Sequence, residues 1–382
     1  MALINQIKQF QEFIRSNATG GNLLVACIFV ALIIGNSSLS LPYNAALQYH
    51  LGPYPTIEWI NDGLMAIFFL LVGLEIKDEA LNGELSSLRS ATLPVFAAVG
   101  GMVIPALFYY IINHNTPTAK GWGIPMATDI AFVVAIINVI KKKVPLSLQV
   151  FIKALAIVDD LGAIVVIAIF YSAGLHSIYL LMAGLTFGLQ LLLNRLGVRQ
   201  LWAYLVPGVF LWYFVHNSGI HATVAGVLTA MAIPYKIKAD YSPLKTLIHR
   251  LENPVNYLII PIFALANSAI NISEGLKDGN HVSALSAGIL VGLLVGKPVG
   301  ITLFSWLAVN MRLSQLGHRV KWKQVWGIGQ LAGIGFTMSI FVTLLSFGST
   351  EIQNQAKFTI LIASSIAAFA GYLILKNIKV KA

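Results

Sequence analysis

The sequence predicts an all-α polytopic membrane protein of about twelve transmembrane helices. Three observations carry this reading. Of 382 residues, 57% are apolar and only 10% charged, with a mean hydropathy of +0.78, where a soluble domain carries about 25% charged residues. Apolar runs of spanning length recur from residue 20 to residue 375 without a soluble domain between them, so 1–382 reads as one integral membrane domain. Two of these runs are interrupted by glycine and proline in similar patterns. The basic balance, 25 Lys+Arg against 15 Asp+Glu, fits a membrane protein with positive cytoplasmic loops, and a nucleic-acid partner is excluded on that ground. Cys27 is the only cysteine, so no internal disulfide is possible.

Residues 4–15 (INQIKQFQEFIR) put Ile4, Ile7, Phe13 and Ile14 on one helical face, which predicts a helix lying on the membrane surface. Residues 23–34 are short enough for a signal-peptide core, but no small-residue cleavage site follows, so they read as a retained first span. Segment 37–56 (SSLSLPYNAALQYHLGPYPT) alternates weakly and holds Pro42, Pro53 and Pro55. It predicts a small hairpin on the outside, and exposed strand edges of that kind pair with a second copy of the chain. The runs lie near 20–36, 58–76, 91–113, 121–140, 147–172, 176–194, 201–216, 219–233, 251–271, 284–310, 325–348 and 356–376. Several fall below the roughly 20 residues of a full span, which suggests tilted, broken or re-entrant segments.

Basic residues set the orientation. With the N-terminus in the cytoplasm, Lys141, Lys142, Lys143, Arg195, Arg199, Lys236, Lys238, Lys245 and Arg250 fall on inside segments. So do Arg312, Arg319, Lys321 and Lys323, and both termini are basic as well. Only Lys120, Lys277 and Lys357 fall on outside loops. By the positive-inside rule both termini are cytoplasmic and the number of spans is even.

The run at 121–140 reads GWGIPMATDIAFVVAIINVI, and the run at 325–348 begins VWGIGQLAGIGFTMSIF. Gly121, Gly123, Pro125, Gly333 and Gly335 weaken a helix at these places. Unwound backbone at membrane depth is tolerated only where protein or a watery cavity satisfies it. Gly123-Ile124 through Val133 also aligns with Gly333-Ile334 through Val342 with one gap. The two runs cross in opposite directions in the topology above. The pattern therefore predicts inverted repeats at about 91–172 and 284–376, with the two interrupted helices crossing at mid-membrane and the ion site at their meeting point.

Each ionisable side chain at a helix centre costs about 2.5–3.5 kcal/mol on insertion scales. Asp62, Asp129, Asp159, Asp160 and Lys297 are placed at such depth. Lys153 is near the inside end of its span, where it can snorkel. Glu75 belongs either to a site or to the polar continuation EIKDEALNGEL. Adjacent helical residues point about 100° apart, so Asp159 and Asp160 cannot both pair with one neighbour. Lys297 is the only deep cation available. A pair between Lys297 and one of the two aspartates leaves the other for an ion, with Asp129, Thr128 and the freed carbonyls of the broken helices as oxygen-rich support. Hard cations such as Na⁺ prefer oxygen ligands, and crowded, poorly solvated carboxylates hold protons more tightly. One site that takes protons or Na⁺ but not both, exposed alternately to each side, is an exchanger. No resident cofactor and no enzymatic step are implied. A cation channel or a cation-coupled symporter built on the same carboxylates are the alternative readings.

Other motifs fail. Gly327-Ile328-Gly329 lacks the third glycine of a dinucleotide fingerprint, and GLLVGKP (292–298) is too short for a phosphate loop. His216 and His221 are five apart, not the i, i+4 spacing of a zinc-binding helix, and read as interfacial or packed polar residues. No Gly-x-Gly-Asp motif is present to support an intramembrane aspartyl protease.

The remaining stretches are WINDGLMAIFFLLVGLEIK (59–77), SLRSATLPVFAAVGGMVIPALFY (87–109), GWGIPMATDIAF (121–132) and ALAIVDDLGAIVVIAIFY (154–171). They continue with SGIHATVAGV (218–227), LIIPIFALAN (258–267), VGLLVGKPVGI (291–301) and GIGFTMSIF (333–341). Together they resemble the NhaA-type bacterial Na⁺/H⁺ antiporters through nearly the whole chain. The resemblance implies that Asp159 and Asp160 bind Na⁺ or Li⁺ and carry protons. It implies charge compensation by Asp129 and Lys297 where the broken helices cross. It also implies a multi-pass protein of the bacterial inner membrane, homodimers joined through the 37–56 segment, and activity that rises at alkaline pH. The family's pH response involves cytoplasmic acidic and histidine residues, which here correspond to Glu75, Glu79, His249 and Glu252. This stretch, KTLIHRLENP, departs from the family pattern: Ile248 stands where an acidic residue is familiar, and Glu252 where a second histidine is familiar.

Overall fold

The computed structural model describes residues 17–140, 144–172, 174–235, 242–271, 283–317 and 320–377. The surface helix expected over 4–15 lies outside them, as do Lys141, Lys142, Lys143, Lys236, Lys238, Lys277 and Arg319. The chain is a multi-pass helical membrane protein. Among the described residues six helices are long and apolar enough to cross a membrane, and two bent pairs raise this to eight. The number stays below the twelve expected runs for physical reasons. Val224–Ala232 has only 9 residues, about 14 Å at 1.5 Å per residue. Leu146–Phe170 is long enough but carries Lys153, Asp159 and Asp160.

The described residues gather into two compact units. No linker in the sequence marks them, because boundaries fall inside helices, as at Ala91/Thr92 and Asp159/Asp160. The first unit holds α1 (Asn17–Gly35), most of α4 (Leu88–Asn113), a 3₁₀ segment at Ala119–Met126 and α5 (Ile130–Ile140). It continues with the first part of α6 (Leu146–Phe170), α12 (Ala284–Asn310), α13 (Trp322–Ala332), α14 (Phe336–Ser346) and α15 (Thr350–Lys376). Its core is built from Leu93, Val133, Leu148, Ile301, Ile328 and Ala367, among others.

The second unit holds α2 (Ser40–Gln48), the strands β1 (His50–Leu51) and β2 (Tyr54–Pro55), and α3 (Thr56–Asn82). It also holds the end of α6, α7 (Ser177–Arg195), α8 (Trp202–Ser218), α9 (Val224–Ala232) and α10 (243–267). Leu74, Tyr204, Ala230 and Leu244 form one of its cores. Leu181, Leu185, Leu189 and Leu192 on α7 are exposed. Such a stripe is costly in water and natural against lipid tails.

The expected hairpin at 37–56 is shorter than predicted. Its first half is α2, and only His50–Pro55 and Leu51–Tyr54 pair as antiparallel strands. The Ala-Ala-Leu-Gln run favours a helix, and Pro42 sits in the first turn, where its missing N–H costs nothing.

The short helix α9 ends in the protein interior, and its last carbonyls need donors. Lys77 Nζ donates to Met231 O and Ile233 O, both at 2.6 Å, and Asn194 Nδ2 donates to Ala232 O at 2.5 Å. Lys77 is thus a cap for this helix.

In the first unit α4 and α12 approach through glycine. A Cβ added at Gly300 would lie 2.1 Å from Gly100 O, and one at Gly100 would lie 2.3 Å from Gly300 O. Gly300→Ala therefore forces the two backbones apart. The expected cost is about 1–3 kcal/mol, read as a lower unfolding midpoint of the detergent-purified protein; an unchanged midpoint contradicts the close contact.

Candidate ion-binding site

Both interrupted runs break where glycine and proline predicted. The 3₁₀ segment Ala119–Met126 contains Pro125, and Ala127 is extended at φ −75°, ψ 147°. Helix resumes at Ile130. The second run turns by 49° between α13 and α14, across Gly333–Gly335.

The two breaks satisfy each other. Asp129 N donates to Ile334 O at 2.7 Å, and Ser339 Oγ donates to Ile124 O at 2.7 Å. Asp129 closes the crossing from the other side. Its Oδ1 accepts from Phe132 N at 3.2 Å in the first turn of α5. Its Oδ2 accepts from Thr337 N at 3.0 Å in the first turn of α14, and from Thr337 Oγ1 at 2.5 Å. One carboxylate thus serves two helix N-termini, where orphan N–H groups and the helix dipole favour negative charge. Asp129, expected to help complete an oxygen shell around an ion, has both oxygens engaged by the crossing. The freed carbonyls Ile124 O and Ile334 O are engaged in the same way.

Beside this crossing lies a buried ion pair. Lys297 is 0% exposed, and its Nζ donates to Asp159 Oδ2 at 2.5 Å and to Thr128 Oγ1 at 2.8 Å. The single proton of Thr128 Oγ1 is shared between Asp159 Oδ2 at 2.6 Å and Ala332 O at 3.0 Å. Thr128 thereby links the ammonium, the carboxylate and the second broken helix. Lys297 leads into Pro298, which has no N–H to offer Leu294 O four residues back. Gln330 Nε2 on α13 donates to Leu294 O at 3.1 Å instead. A π-helical turn at Gly292–Gly296 immediately precedes the lysine. Turns of this type recur at functional sites.

Asp159 has one oxygen to spare. Its Oδ1 is buried and has no hydrogen-bond partner among the described residues. Asp160, the next residue on α6, is also buried, and it makes interactions of its own.

The other sequence candidates lie elsewhere. Glu75 and Glu79 are on the last turns of α3, and Glu79 Oε1 accepts from Glu84 N at 2.7 Å. His249 and Glu252 are on α10, with His249 exposed. The pair Lys245–Asp78, at 3.8 Å, connects those two helices. Lys153 is exposed on α6, in keeping with a snorkelling side chain. Asp62 is held in the second unit by His216 and His221. Thr337, Ser339 and Gln330 were not singled out from the sequence. Thr337 and Ser339 do fall within the aligned motif, which is the signal that points to them.

Lys297 and Asp159 stabilise each other only as a pair, since removing one partner strands the other charge in a poorly solvated interior. Lys297→Ala is expected to cost about 3–5 kcal/mol, read as a lower unfolding midpoint. Asp159→Asn combined with Lys297→Ala should recover most of that loss. Additive effects of the two changes would contradict the pairing.

Comparison with known proteins places the chain in a family. The family model described as Na⁺/H⁺ antiporter 1 matches residues 11–375. The Na(+)/H(+) antiporter NhaA 2 of Flavobacterium johnsoniae is 53% identical, covering 99% of this chain and 94% of its own. The Na(+)/H(+) antiporter NhaA of Tolumonas auensis is 48% identical over 96% of this chain and 94% of its own. The solved structure of the sodium proton antiporter MjNhaP1 from Methanocaldococcus jannaschii shares the fold, with a TM-score of 0.52 and 16% identity over 99% of both chains. With a family model spanning nearly its whole length and relatives this similar, the chain belongs to the Na⁺/H⁺ antiporter 1 family.

Proposed function

We propose that the chain is an electrogenic antiporter that exchanges cytoplasmic Na⁺, or Li⁺, for external protons and so maintains sodium and pH balance. One observation carries the reading. Asp159 is buried, anchored through Oδ2 by Lys297 and Thr128, and keeps Oδ1 without a hydrogen-bond partner among the described residues. Asp160 follows it directly in the chain and is buried too. In this reading Na⁺ is held by the two aspartates, and proton binding to them competes with Na⁺. If two carboxyl protons leave as one Na⁺ enters, one net charge crosses per cycle. The membrane potential then drives exchange, at about 2.3 kcal/mol per charge per 100 mV. Lys297, Thr128 and Asp129 support the site, Lys297 by neutralising Asp159 and Asp129 by holding the two broken helices together.

The finer architecture belongs to the same proposal: twelve spans, inverted repeats over 91–172 and 284–376, and both termini in the cytoplasm of a bacterial inner membrane. Pairing into a homodimer uses the outside segment 37–56, where Leu39, Leu41, Tyr49 and Leu51 are exposed. Glu75, Glu79, His249 and Glu252 carry the pH response.

The test is exchange in proteoliposomes with an imposed pH gradient. Addition of Na⁺ or Li⁺ should dissipate the gradient, choline should not, and clamping the potential at zero should speed the reaction by removing the opposing potential that net charge transfer builds. Asp160→Asn should abolish it. Equal responses to choline and Na⁺, or full activity of Asp160→Asn, would contradict the proposal. Na⁺ flux without proton counter-movement would favour a channel, and parallel movement of Na⁺ and protons a symporter.

A further inference from the structure

We propose that Glu58, Asp62 and His216 form a binding site for a divalent transition-metal ion, fitted to Zn²⁺, separate from the Na⁺/H⁺ chemistry. The three residues come together through two local features. Glu58 and Asp62 lie on α3 around the π-helical turn Trp59–Leu64. His216 lies in the last turn of α8, before Gly219 reverses the chain with φ +89°. That left-handed turn, which suits glycine, brings His221 back toward the same carboxylate as His216. A five-residue spacing that fails on a continuous helix therefore converges on one point.

The contacts favour a cation there. His216 Nε2 is 3.3 Å from Glu58 Oε1, and His216 Nδ1 is 3.4 Å from Asp62 Oδ2. A neutral imidazole has one N–H and one lone pair. With a carboxylate oxygen at each ring nitrogen, one of the two contacts sets lone pair against lone pair. A metal ion removes that conflict and matches the charge of two carboxylates. One donor atom from each of the three residues lies within 4.8 Å of the others. Donors around tetrahedral Zn²⁺ sit about 3.3–3.5 Å apart, as bond lengths near 2.0–2.2 Å require. The Nε2–Oε1 spacing already meets this, and for Asp62 to join the same ion its Oδ2 must leave the contact with His216 Nδ1. Mixed imidazole and carboxylate donors suit Zn²⁺ better than Mg²⁺.

The surroundings hold the donors in place. Trp212 stacks on the His216 ring at 5.6 Å, and Tyr54 meets it edge-on at 4.8 Å. Trp212 Nε1 donates to Asp62 O at 3.1 Å, and His221 Nε2 lies 3.3 Å from Asp62 Oδ1. Trp212 thus fixes the Asp62 backbone, while His221 contacts the carboxylate itself and is a partner of the kind that commonly sets metal affinity. The Glu58 side chain is 35% exposed, which gives an ion in water a way in.

The experiment is a Zn²⁺ titration of the purified full-length protein by calorimetry and thermal unfolding, with Mg²⁺ as comparison. The expected result is one saturable Zn²⁺ per chain and a raised unfolding midpoint, with no response to Mg²⁺. H216Q and E58Q should each weaken Zn²⁺ binding by about tenfold or more, while H114Q leaves it unchanged. Zn K-edge absorption on the unmodified protein should show only nitrogen and oxygen neighbours, including one imidazole. This keeps the test decisive if neither variant folds. Absence of saturable Zn²⁺ binding would overturn the proposal and leave His216 as a protonated bridge between two carboxylates. Binding that survives both H216Q and E58Q, or an absorption spectrum without imidazole, would overturn it as well.

Discussion

A lysine ammonium with no exposed surface must find its counter-charge within the protein, and the arrangement of the first unit follows from meeting that need at Lys297. Its partner, Asp159, is equally buried, so both charges have lost their water. A buried pair is tolerated only when geometry is tight and the remaining polar atoms are satisfied. Thr128 supplies one such contact, and it is within reach only because the chain is unwound at Ala127–Asp129. The break in one run is thus part of how the charge in another helix is held.

Asp129 and Asp159 illustrate how position decides the work of a buried carboxylate. Asp129 has backbone or side-chain donors on both oxygens and closes two helix N-termini. Its charge is absorbed by the architecture. Asp159 gives one oxygen to Lys297 and keeps the other without a hydrogen bond among the described residues. A group that is anchored yet incompletely satisfied is suited to exchange a proton for a cation, because the anchor survives when the occupant changes. The low dielectric that makes an unpaired group costly also strengthens its attraction for either ion.

Much of this was legible in the sequence, for reasons of scarcity. Lys297 was the only deep cation, so its pairing with one of two adjacent aspartates was nearly forced. Glycine and proline marked both helix breaks, and the aligned motif placed Thr337 and Ser339 near them. What stayed hidden depended on three-dimensional neighbours. Nothing local indicates that Gln330 donates to the carbonyl left without a donor by Pro298. The π-turns at Trp59–Leu64 and Gly292–Gly296 have no periodic signature long enough to read. His216 and His221 failed a helical spacing rule because the left-handed turn at Gly219 lies between them. The division into two units was hidden too, since its boundaries interrupt helices rather than linkers.

The central claim is that Na⁺ and protons compete for one buried aspartate pair. It is tested most directly by counting protons released when Na⁺ binds to the purified protein. Calorimetry of Na⁺ binding in buffers of differing ionisation enthalpy gives that number without any membrane gradient. Competition predicts net proton release at a pH where the site begins protonated, falling toward zero at higher pH. Saturable Na⁺ binding with no proton release at any pH would contradict it.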